Sequence, residues 1–297
     1  MSIPETQLDT WAHQGSITQS SSTYANVKRI LENSTTPYAD KNWKVFLQGS
    51  YGNDTNIYAE SDVDIVIQLN NCFQHDLTSL PDAQKKLFHA THTSASYTHK
   101  DFKHDVLGVL TNAFAKDVKS GDKAIKIAAT TSRRNVDVIA AIQYRRYYKF
   151  NSIADQTFDE GICFYDSANQ QIANYPKQHS ENLTVRHQAT GSWLKPMIRI
   201  LKNMRSKMVA DNIIEDGCAP SYYIEGLLYN VPLEMFGGNY SDSFVKCINW
   251  IKQADRNKFL CANEQYYLLR ENSAVTWRSE KCDEFLAGLV ELWNEWP

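Results

Sequence analysis

Apolar residues change their spacing along this chain. Up to about residue 175 they fall in short runs, several alternating with polar residues, and from Trp193 onward they recur every three or four positions. In the first part, residues 20–33 open with serines and place Tyr24, Val27, Ile30 and Leu31 at helical spacing, so a capped helix is predicted there. Pro37 and its polar neighbours end it. Val45-Phe46-Leu47 predicts a short buried strand, followed by the turn-rich run Gly49-Ser50-Tyr51-Gly52-Asn53-Asp54-Thr55-Asn56. Residues 62–69 predict a second strand, and 70–120 read as mostly helical or irregular. Segments 124–130 and 136–144 predict two strands joined by a turn through 132–135, and 161–165 with 171–175 form a further candidate pair. Beyond Trp193, helices are predicted over 196–208, 221–229 and 244–254. The fold class expected is therefore α+β, with a mixed-sheet lobe over 1–178 followed by a helical lobe over 179–297. No internal repeat, low-complexity tract or flexible linker interrupts the chain.

Composition narrows the class. With 42% hydrophobic and 22% charged residues, the 297-residue chain has the balance of a soluble globular protein. A net charge of −3 argues against a dedicated binder of long nucleic acid. A small anionic ligand needs only a local basic patch. The N-terminus lacks the basic and apolar regions of a signal peptide, and no apolar run approaches the roughly 20 residues of a membrane span. The six cysteines are scattered without a C-x-x-C pair, as expected of reduced thiols. A cytoplasmic monomer is the expectation.

Three features carry chemistry. Gly49-Ser50 directly follows a strand, where glycine allows close approach of a phosphate and adjacent N–H groups and the Ser50 hydroxyl can donate to it. Alone this is most often a plain turn, and no P-loop pattern occurs. Twelve residues later, Asp62-x-Asp64 opens an apolar strand. Side chains at i and i+2 share one strand face, so both carboxylates aim the same way. Such oxygens suit Mg²⁺, and the cost of carboxylates beside a core falls if a cation binds. A solvated strand end is the commoner fate of a bare D-x-D. Asp137, in Asn135-Val136-Asp137-Val138-Ile139, repeats the design on a later strand. If the strands are neighbours, Asp62, Asp64 and Asp137 form a cluster able to hold two Mg²⁺ ions, a place Mn²⁺ can also take. Such a pair would activate a hydroxyl and stabilise a leaving pyrophosphate.

This motif resembles that of the polymerase-β-like nucleotidyltransferases. Within them, the runs Leu47 to Ile57 and Ser61 to Val66 look like the bacterial cGAS/DncV-like enzymes (CD-NTases) of CBASS antiphage defence. Gln7-Leu8, Trp11, His13-Gln14-Gly15, Asn174-Tyr175-Pro176-Lys177, Ser221-Tyr222, Tyr229-Asn230-Val231-Pro232 and Phe236-Gly237-Gly238 are most similar to clade E, the CdnE-like members. The resemblance spans nearly the whole chain and implies a catalytic lobe closed by a helical lobe like that of cGAS and oligoadenylate synthase. It implies that Gly49 and Ser50 cradle the donor triphosphate, that Lys202 grips it with help from Ser221, and that Tyr222 stacks on a base. Lys202 lies in a basic helix, with five basic residues and no acid from Lys195 to Lys207, which on its own reads as a solvated face. The resemblance also implies that Asn174 selects uracil. A carboxamide has the donor and acceptor to pair with uracil N3–H and O4, although a strand-edge Asn satisfying backbone fits the pattern nearly as well. UTP is then the preferred nucleoside triphosphate, cyclic UMP–UMP the first product and a mixed pyrimidine–purine ring the second. A downstream effector activated by the product is implied as a partner.

Two other activities fit the same motif: transfer of a nucleotide to an RNA, small molecule or protein, and ligand sensing without turnover. The complete acid set argues against the latter. His89, His92, His99 and His104 lie close in sequence without supporting cysteines, and read as surface histidines rather than a zinc site.

Overall fold

The computed structural model describes residues 2–15, 17–58, 62–271 and 275–296. Among them the strands are β1 (Trp43–Gln48), β2 (Val63–Asp76), β3 (Val118–Ser120), β4 (Ile125–Ile127), β5 (Val136–Phe150), β6 (Gln156–Tyr165) and β7 (Gln171–Asn174). The helices are α1 (Glu5–Ala12), α2 (Thr18–Leu31), the single turn α3 (Gly49–Gly52), α4 (Asp82–Thr91), α5 (His99–Phe114), α6 (Pro176–Ala189), α7 (Leu194–Ala210), α8 (Ser221–Tyr229), α9 (Tyr240–Gln253) and α10 (Ser279–Asn294). No described helix is long and apolar enough to cross a membrane.

The chain forms two units. One holds Thr18–Gln48 and Asp62–Pro176 and contains the whole sheet. Its strand order is β1-β2-β5-β4-β3, with β6 paired to β5 and β7 to β6. The β2–β5 pair is parallel and the others are antiparallel. Val63, Ile65, Val66, Ile67 and Leu69 are all buried, as expected for a strand covered on both faces. β5 is long enough to give one edge to two partners: Val136–Val138 pair with β4, and Ile142–Phe150 with β6. Helix α5 starts with a reciprocal capping box between Thr98 and Asp101 and buries Phe102, Val106 and Leu110.

Three departures from the sequence pattern are informative. β2 runs on to Asp76, through residues that read as non-strand. Its ladder with β5 shifts register between Leu69 and Phe73, so an irregularity absorbs Asn70, Asn71 and Cys72, the two asparagines being residues that disfavour strands. β6 begins at Gln156, five residues before the apolar run that signalled it. His99 is a buried histidine rather than a surface one: Nε2 lies 2.9 Å from the Ala140 carbonyl and the ring packs on Tyr165. His92 is half-buried and stacks on Phe88, while His89 and His104 are exposed.

The second unit gathers Met1–Ile17, Gly49–Ser61 and Lys177–Pro297. Helix α7 runs through its core and buries Leu194, Met197, Ile198, Leu201, Met204 and Met208. Leu8 and Ala12 of α1 join this core, which explains why the N-terminal segment groups with helices that follow it by more than a hundred residues.

Gly161 marks a tight point in the sheet unit. A Cβ there would lie 2.5 Å from the Asn174 carbonyl oxygen and 2.9 Å from the Tyr175 ring. Gly161→Ala is expected to push β7 from β6 and to cost roughly 1–3 kcal/mol of stability, measured by urea denaturation.

Candidate active site

The parallel β2–β5 ladder sets Asp64 opposite Asp137 and Val63 opposite Val136. Asp62 stands just before β2, where Asn135 meets it twice: Asn135 Nδ2 donates to Asp62 Oδ1 (3.2 Å) and Val63 N–H donates to the Asn135 carbonyl (2.9 Å). Register partners share a sheet face, as do residues i and i+2. Asp62, Asp64 and Asp137 therefore all project from one face at the ends of two neighbouring strands. Asp137 is half-buried and its carboxyl is raised above the usual range, first by desolvation and then by the charge of Asp62, with Lys126 acting the other way. A desolvated carboxylate beside another acid favours a nearby cation. The donor atoms are carboxylate oxygens, the chemistry that suits Mg²⁺. Among the described residues no three His, Cys, Asp or Glu side chains are drawn together closely enough to hold a metal ion, so a cation would have to gather these acids.

The chain passes from Gln48, the register partner of Asp64, directly into Gly49. Gly49 has φ 66°, a left-handed conformation that glycine adopts without penalty. The run expected as a loose turn is one helical turn, closed by Asn53 N–H to the Gly49 carbonyl (3.1 Å) and Thr55 N–H to the Ser50 carbonyl (2.9 Å). Ser61, which precedes Asp62, lies outside the described residues.

Below this turn, within the helical unit, sits a charge network absent from the sequence expectations. Glu225 of α8 is 2% exposed. Its Oε1 accepts from the Lys202 ammonium (2.8 Å) and the Thr55 hydroxyl (2.5 Å). Its Oε2 accepts from Asn53 Nδ2 (3.1 Å) and lies 2.7 Å from His179 Nε2. Burial alone would raise the Glu225 carboxyl, but Lys202 and His179 with their hydrogen bonds hold it well below the ordinary carboxylate range. Lys202 also donates to the Thr55 carbonyl and hydroxyl (3.3 and 3.0 Å). Lys202, which the resemblance implies grips the triphosphate and whose helix on its own reads as a solvated basic face, is thus fully buried, with protein partners that tie the Gly49–Asn56 segment to α7 and α8. The sequence signal for Glu225 was a lone acid in the otherwise apolar run Ser221 to Tyr229.

The remaining expected residues are spread over both units. Ser221 opens α8, and its hydroxyl lies 3.5 Å from the Arg205 guanidinium. Tyr222 stacks one face on His179 (4.7 Å between centroids), and its hydroxyl accepts from Asn263 (2.9 Å). Asn174 ends β7, opposite Ile162 of β6, with its side-chain oxygen accepting from the Tyr175 N–H (2.8 Å). A carbonyl oxygen has two lone pairs, so one acceptor position and the amide N–H₂ face remain within the capacity of this side chain.

Residues 181–294 match the family model of the cGAS/DncV-like nucleotidyltransferase C-terminal helical domain. The chain is 40% identical to a cyclic UMP-AMP synthase of Rhodothermus marinus, over 100% of this chain and 99% of that protein. It is 34% identical to a cyclic dipyrimidine nucleotide synthase, CdnE, of Legionella pneumophila, over 93% of each. The solved structure of the Rhodothermus marinus CdnE c-UMP-AMP synthase with Apcpp and Upnpp superposes with a TM-score of 0.88, at 39% identity, covering 99% of this chain and 97% of that one. The chain therefore belongs to the cGAS/DncV-like nucleotidyltransferases, in the branch of the CdnE cyclic nucleotide synthases.

Removing the Glu225 carboxylate strands a buried ammonium. Glu225→Ala is expected to cost about 3–5 kcal/mol, while the double variant Glu225→Leu/Lys202→Met loses much less, as read by urea denaturation. The sign with pH follows from the lowered native carboxyl. The stabilisation is complete above the ordinary value of 4.5 and is lost as pH falls towards the lower native one. Glu225→Gln should flatten that acid limb.

Proposed function

We propose that this chain joins two nucleoside triphosphates, UTP among them, into a cyclic dinucleotide with release of pyrophosphate at each step. The observation that carries the reading is the acid-bearing register of β2 and β5, Asp64 opposite Asp137 with Asp62 two residues before. In each transfer a ribose hydroxyl attacks the α-phosphorus of the donor. The new O–P bond forms as the bond to the bridging oxygen breaks, and pyrophosphate leaves with that electron pair. Asp62, Asp64 and Asp137 would hold the two Mg²⁺ ions. Bound there, Mg²⁺ supplies charge neutralisation for the leaving group and lowers the pKa of the attacking hydroxyl. Asp137 also accepts a hydrogen bond from that hydroxyl and so orients it, and the hydroxyl proton passes to solvent as the O–P bond forms.

Gly49 and Ser50 offer backbone N–H and hydroxyl donors to the donor phosphates, with Ser221 as a further phosphate contact. Lys202 serves them from below, through Thr55 and Glu225, rather than at an open surface. Tyr222 offers an aromatic face to a base, and Asn174 reads uracil. The likeness to a cyclic UMP-AMP synthase supports a mixed uridine–adenosine ring. Asn174 on its own supports cyclic UMP–UMP, the second reading. In this family's setting the product is a signal to a separate effector in antiphage defence.

Incubation with labelled nucleoside triphosphates and Mg²⁺, then phosphatase and chromatography, tests the assignment. A phosphatase-resistant product containing uridine is expected. The Asp62→Ala/Asp64→Ala variant should make none while keeping its circular dichroism spectrum and melting temperature; retained synthesis would overturn the acid assignment. Asn174→Ala should lower the preference for UTP over CTP by about tenfold, the worth of one hydrogen bond of about 1.4 kcal/mol. An unchanged preference removes Asn174 from base selection.

A further inference from the structure

Beside the acids, wholly within the sheet unit, lies a cavity of about 290 Å³ lined by Asp62, Asp117, Lys119, Lys126, Asn135 and Asp137. Its basic wall is built by the β3–β4 hairpin. The ladders place Lys119 opposite Lys126 and Lys126 opposite Asp137, so both lysines share the sheet face of the catalytic carboxylates. Ile125 and Ile127 anchor β4 in the core and leave Lys126 exposed between them.

Two features make this pair hard to explain by folding alone. Like charges directly opposite each other on adjacent strands are destabilising, yet Lys119 and Lys126 occupy that position. Among the described residues, neither side chain makes a hydrogen bond or an ion pair, although the charge of Lys126 is felt by Asp137. The nearby Arg133, by contrast, is matched by Asp117 at 2.8 Å. Two ammonium groups on one wall, neither held in a direct ion pair and next to the acids that orient an attacking hydroxyl, suit a polyanion arriving with that hydroxyl.

We propose that Lys119 and Lys126 form an anion subsite for the 5′-triphosphate of the acceptor nucleotide, the one whose hydroxyl attacks. The proposal rests on the nucleotidyltransferase reading and adds to it a place for the phosphates that the first transfer does not consume. The same subsite favours acceptors that carry a triphosphate over those that do not. Donor and acceptor triphosphates are chemically alike, and a nucleoside separates them because it can accept but cannot donate.

The test measures the first transfer from UTP to ATP and, separately, to adenosine, with wild type and the Lys119→Ala/Lys126→Ala variant. Both positions are exposed, and a matching melting temperature confirms the fold of the variant. The expected result is an acceptor KM raised about tenfold or more for ATP, while transfer to adenosine shows only the smaller change that loss of the Lys126 charge opposite Asp137 brings to both acceptors. Equal losses with ATP and adenosine would assign the lysines to the donor or to the acids and overturn the proposal, as would no change with either acceptor. Absence of transfer by the wild type to any acceptor would instead defeat the nucleotidyltransferase reading, and this subsite with it.

Discussion

Parallel pairing of β2 with β5 is the constraint on which the placement of Asp62, Asp64 and Asp137 depends. Parallel neighbours cannot be joined by a tight turn, so a crossover of many residues must lie between them. Here that crossover carries α4, α5 and the β3–β4 hairpin. The hairpin then returns to β5 on the edge that β2 leaves open. The same ladder aligns Asp64 with Asp137 and brings the lysines of β3 and β4 to the acid side. A register slip of one residue would turn Asp137 to the opposite face and expose Val136 and Val138, both fully buried. Hydrophobic burial in these two strands is therefore what holds the carboxylates in place.

The helical unit solves a different problem with charge. A buried ion pair is seldom a net source of stability, but it is costly to break and demands a particular geometry. Glu225 takes donors from one segment and two other helices: Asn53 and Thr55 of the Gly49–Asn56 run, His179 of α6 and Lys202 of α7. An apolar cluster of the same size could hold the Gly49–Asn56 turn nearby. A carboxylate with four directed partners holds it in one position. Tyr222, one turn's face away on α8, adds its ring to His179 and closes the network on that side.

Much of this was legible in the sequence, because local physics determined it. Asp62-x-Asp64 before an apolar run, and its echo at Asp137, pointed to acids on core strands, and the apolar spacing of Met197, Ile198, Leu201, Met204 and Met208 pointed to α7. What was hidden depended on distant partners. The Asn70–Asp76 stretch has no strand pattern of its own and is held by pairing with β5 beyond a register shift. His99 looked exposed beside three other histidines until the Ala140 carbonyl supplied its partner. Lys202 looked like part of a solvated basic stripe, since nothing local announces Glu225, 23 residues on. Lys119 and Lys126 carry no local signal for the same reason, as the ladder alone brings them beside Asp137.

The grouping of residues 49–61 with the C-terminal helices also bears on how the protein is made. Thr55 and its partner Glu225 are 170 residues apart in sequence. On a ribosome, which adds about 5–20 residues per second, the strands carrying the acids can pair while α8 is still unsynthesised. The Gly49-Ser50 turn gains its anchor only once Glu225 emerges. Chains truncated before α8 would carry Asp62, Asp64 and Asp137 and still lack the carboxylate that fixes the turn.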